Sequence, residues 1–145
     1  MRAAPKAKKP PRTWAQRLQT SAPAVVKRAP INIAGIKAGQ VMLVPSAAEV
    51  DAFVRRIPQG HHMDVRALRQ LMASAHQAEV TCPITMGFHI KTVAEAAYEA
   101  YTEGRAIQEI TPFWRVLSSS SPTLGKLSFD SAFVAHLREQ EGLPP

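Results

Sequence analysis

Acidic residues are missing from the first third of this chain. No Asp or Glu precedes Glu49, whereas the same stretch carries Arg2, Lys6, Lys8, Lys9, Arg12, Arg17, Lys27, Arg28 and Lys37. From Glu49 onward the eleven Asp and Glu outnumber the remaining Lys and Arg, so the formal net charge of +7 belongs to an N-terminal arm. Without carboxylates the arm cannot neutralise itself through local ion pairs. It suits a polyanion, because each Lys or Arg that neutralises a phosphate releases condensed counterion and gains affinity without reading sequence. A solubilising tail and an organelle transit peptide share this composition.

Cysteine is nearly absent too. Cys82 stands alone, which excludes an internal disulfide and fits a reducing cytoplasm. No apolar run approaches the roughly 20 residues that span a bilayer, and Met1 to Arg17 has no apolar segment of the secretory type. A soluble, cytoplasmic protein is therefore expected, with no membrane partner. His61, His62, His76, His89 and His136 lack the paired spacing with Cys or acidic residues that a metal needs. No Gly-rich phosphate loop or Ser-His-Asp order occurs either. Neither metal nor cofactor is expected.

What remains is a chain of 145 residues, enough for one core. Residues 1–40 read as the basic arm, with Pro5, Pro10 and Pro11 among lysines and alanines and a short helix capped by Thr13. Trp14, Leu18, Val25 and Val26 are expected to pack along the core. The ordered domain, 41–145, opens with the strand Val41 to Val44. Ser46 and Glu49 then have capping-box spacing before Val50, Phe53, Val54 and Ile57, an apolar stripe at helical period. Asp64 caps a second helix with Val65, Leu68, Leu71, Met72 and Ala75 on one face and Arg66, Arg69 and Gln70 on the other.

A third helix runs to about Glu103, burying Ile90, Val93, Ala94, Ala97 and Tyr101, with Gly104 beyond its end. Its Glu95, Glu99 and Glu103 recur at every fourth residue, a pattern read as a solvated acidic stripe. Phe113 to Leu117 reads as a strand and Ser118 to Gly125 as a wing, before a final helix around Phe133, Val134 and Leu137. The fold class is mainly α: a winged helix-turn-helix core with a small β wing.

Several segments resemble the DNA-binding domain of alkylguanine-DNA alkyltransferases, their alkyltransferase-like relatives and short prokaryotic members of that group. IPQG at Ile57 to Gly60 is similar to the family's IPxG entry to the helix-turn-helix. PFWRV at Pro112 to Val116 is similar to its active-site PCHRV, and LREQEG at Leu137 to Gly142 to its closing LLxxEG. The short members also share VPS at Val44 to Ser46, EVD at Glu49 to Asp51, and CPxTxG at Cys82 to Gly87.

The resemblance implies DNA binding without catalysis. The family's cysteine accepts an alkyl group as a thiolate, but Phe113 and Trp114 occupy the positions of that cysteine and its histidine. Phenylalanine offers no nucleophilic atom. Cys82 lies about thirty residues upstream with no base-orienter set and reads as a small buried residue. The family's base-rotating tyrosine and stack-filling arginine are also missing, from Met63 to Val65 and from Thr92 to Ala97 respectively.

The expected function is therefore a non-enzymatic protein that binds double-stranded DNA, in sensing of alkylated bases, DNA repair or regulation. Arg66, Arg69, His89 and Lys91 would contact the duplex, and Lys6, Lys8, Lys9 and Arg12 would add phosphate contacts. Phe113, Trp114 and Arg115 would line the base pocket. The alternative is a protein-protein interaction module, binding a partner through the acidic helix and the Phe113 to Trp114 ridge.

Overall fold

The structure, a computed structural model, describes residues 10–145; Lys6, Lys8 and Lys9 lie outside the described residues. It is mainly helical with a small sheet. In chain order the elements are α1 (Trp14–Gln19), β1 (Val25–Arg28), β2 (Val41–Val44), α2 (Ala47–Arg55), α3 (Val65–Ala75), β3 (Val80–Thr81), α4 (Pro83–Thr102) and α5 (Ala132–Gln140). Short 3₁₀ turns occupy Ile107–Glu109, Phe113–Arg115 and Pro122–Lys126.

Local chemistry explains where the helices start and stop. Thr13 and Gln16 form a reciprocal capping box at α1, and the Ser46 and Asp64 side chains accept from the N3 amides of α2 and α3. The α2 cap is not reciprocal, because Glu49 turns away from the cap amide and pairs with His76 Nε2. Gly104, at φ +103°, closes α4: the amides of Gly104 and Arg105 return to the carbonyls of Tyr101 and Ala100. That is a left-handed turn a Cβ would strain.

The sheet order is β1-β2-β3, with β1 antiparallel and β3 parallel to β2, so α2 and α3 form the crossover. β1 falls inside the stretch read as the arm, and its pairing of Val25 with Val44 makes it part of the same sheet as β2. Val25 and Val26 nevertheless stay exposed, contrary to the expectation that they pack on the core. Both sit on the edge strand, where little packs against them.

α4 is the centre of the molecule. Met86, Ile90, Val93, Ala94 and Ala97 face a core built with Leu43, Val50, Val54, Leu68 and Met72. Each fully buried Leu, Ile or Met contributes roughly 1.5–3 kcal/mol relative to exposure. The expected stripes change in three places: Leu71 is 47% exposed and Ala75 is exposed while Ala73 is buried, and Tyr101 is exposed.

The largest departure is at Phe113 to Leu117, which is no strand. Pro112 supplies no amide, and the chain turns so that Val116 and Leu117 donate back to the Phe113 carbonyl at 3.1 and 3.0 Å. The buried Arg138 guanidinium fills the place of a partner strand, donating from Nη1 to the carbonyls of Trp114 (2.7 Å) and Leu117 (3.3 Å). Ser118 to Gly125 is accordingly a loop ending in a 3₁₀ turn, with no β wing.

The acidic stripe on α4 is also dismantled. Glu95 is 2% exposed and accepts from Ser128 through both its amide (2.5 Å) and its hydroxyl (2.6 Å). Glu99 accepts from the Trp14 and Ala15 amides at 3.1 and 3.2 Å, satisfying the free donors at the start of α1. Only Glu103 remains solvated. Tyr98 stacks on Phe129 at 4.1 Å between ring centroids and meets Phe133 edge-on at 5.1 Å, fastening the 118–131 segment to α4.

Candidate nucleic-acid interface

Asp64 caps α3 so that the helix begins at Val65, and the helical period then puts Arg66 and Arg69 side by side on the face away from Leu68 and Met72. The two arginines border a pair of grooves. One, of about 430 Å³, lies between the start of α3 and the 118–126 loop, with Ser120, Ser121 and Lys126 on its far wall. The other, of about 380 Å³, extends from the same arginines to Ala34, Gly35 and Ile36 in the β1–β2 connection. Pro83 lines both as well, so the grooves meet as one trough crossing α3.

His89 and Lys91 are not part of it. Lys91 Nζ stands 5.8 Å from the Trp14 ring centroid, on the α1 side of α4, where Arg17 covers the same ring at 4.4 Å. Burial pushes the His89 imidazole below its usual range, against a backbone hydrogen bond with Pro45 that favours the charged form. A neutral His89 brings no charge to a phosphate. The candidate contacts thus divide: Arg66 and Arg69 come together, while His89 and Lys91 sit elsewhere.

The basic residues of the described N-terminal segment are all at the surface. Arg12, Arg17, Lys27, Arg28 and Lys37 are exposed, and no ion pair among the described residues involves any of them. Arg12 donates to Thr20 Oγ1 at 3.2 Å and Arg28 to the Gly39 carbonyl at 2.9 Å, contacts that orient the guanidinium without neutralising it.

The rings expected to form the base pocket are buried, although Trp114 and Arg115 border a groove of about 300 Å³ with Arg55, Gln59 and Glu141. Phe113 has no exposed surface and Trp114 is 2% exposed, because the 3₁₀ turn folds both rings into the core. The Trp114 Nε1–H is committed to Glu141, which also accepts from Arg115 Nε (2.9 Å) and the Gly60 amide (2.8 Å). Arg115 Nη1 donates to the Ile57 carbonyl at 2.7 Å. Burial alone would raise the Glu141 pKa, but hydrogen bonds from Arg115, Trp114 and Gly60 and the Arg115 charge hold it below the usual range. The IPQG turn, the PFWRV turn and the closing EG are thus tied together by one carboxylate. Neither Phe113 nor Trp114 offers an open ring face for a displaced base to stack on.

Cys82 is buried at the start of α4, with the Thr85 hydroxyl 3.4 Å from its sulfur. Burial opposes its thiolate, yet hydrogen bonding from Thr85 and the charge of Lys27 leave the pKa below the ordinary value. His76, the imidazole nearest in sequence, is engaged with Glu49. Among the described residues no group of three or more His, Cys, Asp or Glu is placed to hold a metal ion, and no helix is long and apolar enough to cross a membrane.

Lys126, Ser120 and Ser121 were not singled out by the sequence. Their only local signal is a basic residue closing a serine-rich loop, and their place opposite α3 depends on the Glu95–Ser128 tether and the Tyr98–Phe129 stack. No family model, curated protein or solved structure matches this chain.

Proposed function

We propose that the protein is a non-catalytic binder of double-stranded DNA, an alkyltransferase-like protein that works in a reducing cytoplasm. In this reading α3 and α4 serve as the helix-turn-helix pair, and the 118–126 loop stands where a winged helix carries its wing. The observation that carries it is the state of the N-terminal cations: Arg12, Arg17, Lys27, Arg28 and Lys37 are exposed and, among the described residues, free of ion pairs, within a stretch whose sequence holds no Asp or Glu. Phe113 in the place of the acceptor cysteine, without a nucleophilic atom, supports binding without alkyl transfer. The closed aromatic turn favours general duplex binding over recognition of a displaced alkylated base.

Electrophoretic mobility shift with plain duplex and with duplex holding O6-alkylguanine tests this. Both are expected to shift equally, the lesion is recovered intact, and deletion of residues 1–12 weakens both. No shift at low salt contradicts the reading.

A second reading, a protein-interaction module without DNA binding, is favoured by one observation: Phe88 is 69% exposed on α4 beside the exposed Ile84. Such a module would use this apolar strip in place of the acidic helix and the Phe113 to Trp114 ridge, which are consumed internally. Phe88→Ser reducing capture of a protein partner, with no duplex binding by the parent, would establish it.

A further inference from the structure

The trough across α3 has a charge that its own neighbours leave unanswered. Arg66, Arg69 and Lys126 face a single carboxylate, Asp64, which is occupied in capping the helix through the Ala67 amide at 2.7 Å. None of the three cations is in an ion pair among the described residues. Arg69 Nε is buried and has no hydrogen-bond partner among them. A buried guanidinium donor is ordinarily satisfied, and this one, shielded from solvent, gains an acceptor when the Arg69 side chain turns toward an anion in the groove it lines.

The far wall supplies neutral donors. Ser121 Oγ accepts from the Ser118 amide at 2.9 Å, which leaves its own O–H free to donate, and Ser120 Oγ lies 3.0 Å from Ser118 Oγ. The trough's shape argues against a compact metabolite. It is two grooves end to end, without an aromatic platform, and it leads to Ala34–Ile36, next in sequence to Lys37 in the connection that follows Lys27 and Arg28.

We infer that this trough holds one phosphodiester strand of the duplex, with Arg66, Arg69 and Lys126 on successive phosphates and the Ser120 and Ser121 hydroxyls completing their hydrogen bonds. The inference rests on the DNA reading and names the surface that positions the backbone. Guanidinium forks and hydroxyls suit phosphate oxygens, and such contacts fix register without reading bases.

Fluorescence anisotropy with the full chain tests it, using a short labelled duplex, a labelled oligothymidylate and an oligoglutamate peptide as competitor. Lys126→Gln, Arg66→Gln and Arg69→Gln are each expected to weaken duplex binding about tenfold. Each should also lower the slope of log K against log salt by about one. Arg105→Gln, a charge-matched change outside the trough, should change affinity less than about twofold. Lys126 and Arg66 are exposed, so their variants decide the matter even where thermal melts show Arg69→Gln to be unfolded.

Trough variants that bind as the parent does, while loss of the N-terminal cations weakens binding, would overturn the trough and leave the DNA reading standing. A parent that binds neither nucleic acid would overturn both. Oligoglutamate competing as well as oligothymidylate would assign the trough to an acidic peptide and overturn the phosphodiester assignment.

Discussion

In residues 10–44 the cations reach solvent without an ion pair among the described residues, whereas from residue 45 onward most carboxylates are consumed by the fold itself. Glu49 holds His76, Asp51 accepts from Arg55 and Thr111, Glu95 holds Ser128, Glu99 caps α1, and Glu141 ties Trp114, Arg115 and Gly60 together. The carboxylates of the second region are spent on structure, while the cations of the first are left for a partner. The difference predicts a double dissociation. Changes to the acids should alter stability more than affinity, and changes to the N-terminal cations should do the reverse.

The strongest test on the structural side is Phe113→Ala. A fully buried ring meeting Trp114 and Phe129 edge-on should cost about 3–5 kcal/mol on truncation, seen in urea or thermal melts. If the ring instead lined an open base pocket, the loss would be near zero and the core assignment would fail.

Glu141→Ala follows, with an expected loss of about 2–4 kcal/mol, because it leaves the Trp114 and Arg115 donors unanswered in a half-closed site. Its acid dependence has a definite sign. The folded pKa lies below the unfolded one, so the stabilisation is complete above the ordinary glutamate range and is lost as pH falls through the lowered folded value. Urea melts from neutral pH into that acid range should show the parent losing stability there, and the variant losing less. Parallel curves for the two proteins would remove Glu141 from the account.

Glu99→Ala should cost less, about 0.5–2 kcal/mol, the range for removing a helix cap, because its loss frees only the first amides of α1. Hydrogen exchange confined to residues near Trp14 would locate the effect there. Broad loss of protection across α4 would show that Glu99 holds more than α1.

Where the sequence was legible, the cause of structure was local. α2, α3 and α4 announce themselves through Ser46, Asp64 and Gly104 at their ends and through apolar residues at three- and four-residue spacing. β1 was missed because all four of its residues are exposed, so no alternation marks it. Phe113 to Leu117 misled because a short apolar run suits a strand or a buried turn equally, and the residue that decides, Arg138, lies on α5. The acidic face of α4 misled for the same reason: a solvated stripe and a set of caps look alike until Ser128 and Trp14 arrive from distant positions. Within the candidate site, Arg66 and Arg69 were legible from the polar face of α3. Lys126 and the serines opposite were not, since only tertiary packing brings them there.

The smallest expected structural effect belongs to the N-terminal cations, and it accompanies the largest effect on binding. Changing Arg12, Arg17, Lys27, Arg28 and Lys37 together to Gln should shift folding stability by about 1 kcal/mol at most, because the side chains are exposed and free of ion pairs among the described residues and only surface contacts such as Arg17 over the Trp14 ring and Arg28 on the Gly39 carbonyl are lost. Binding of duplex DNA by this variant and the parent across a salt series is the direct test. The parent should lose affinity steeply with salt, by about 0.9 in log–log slope for each phosphate neutralised, and the variant should lose a large part of that slope. Equal slopes, or a parent that fails to bind at low salt, would contradict the claim that this region keeps its charge for a polyanion.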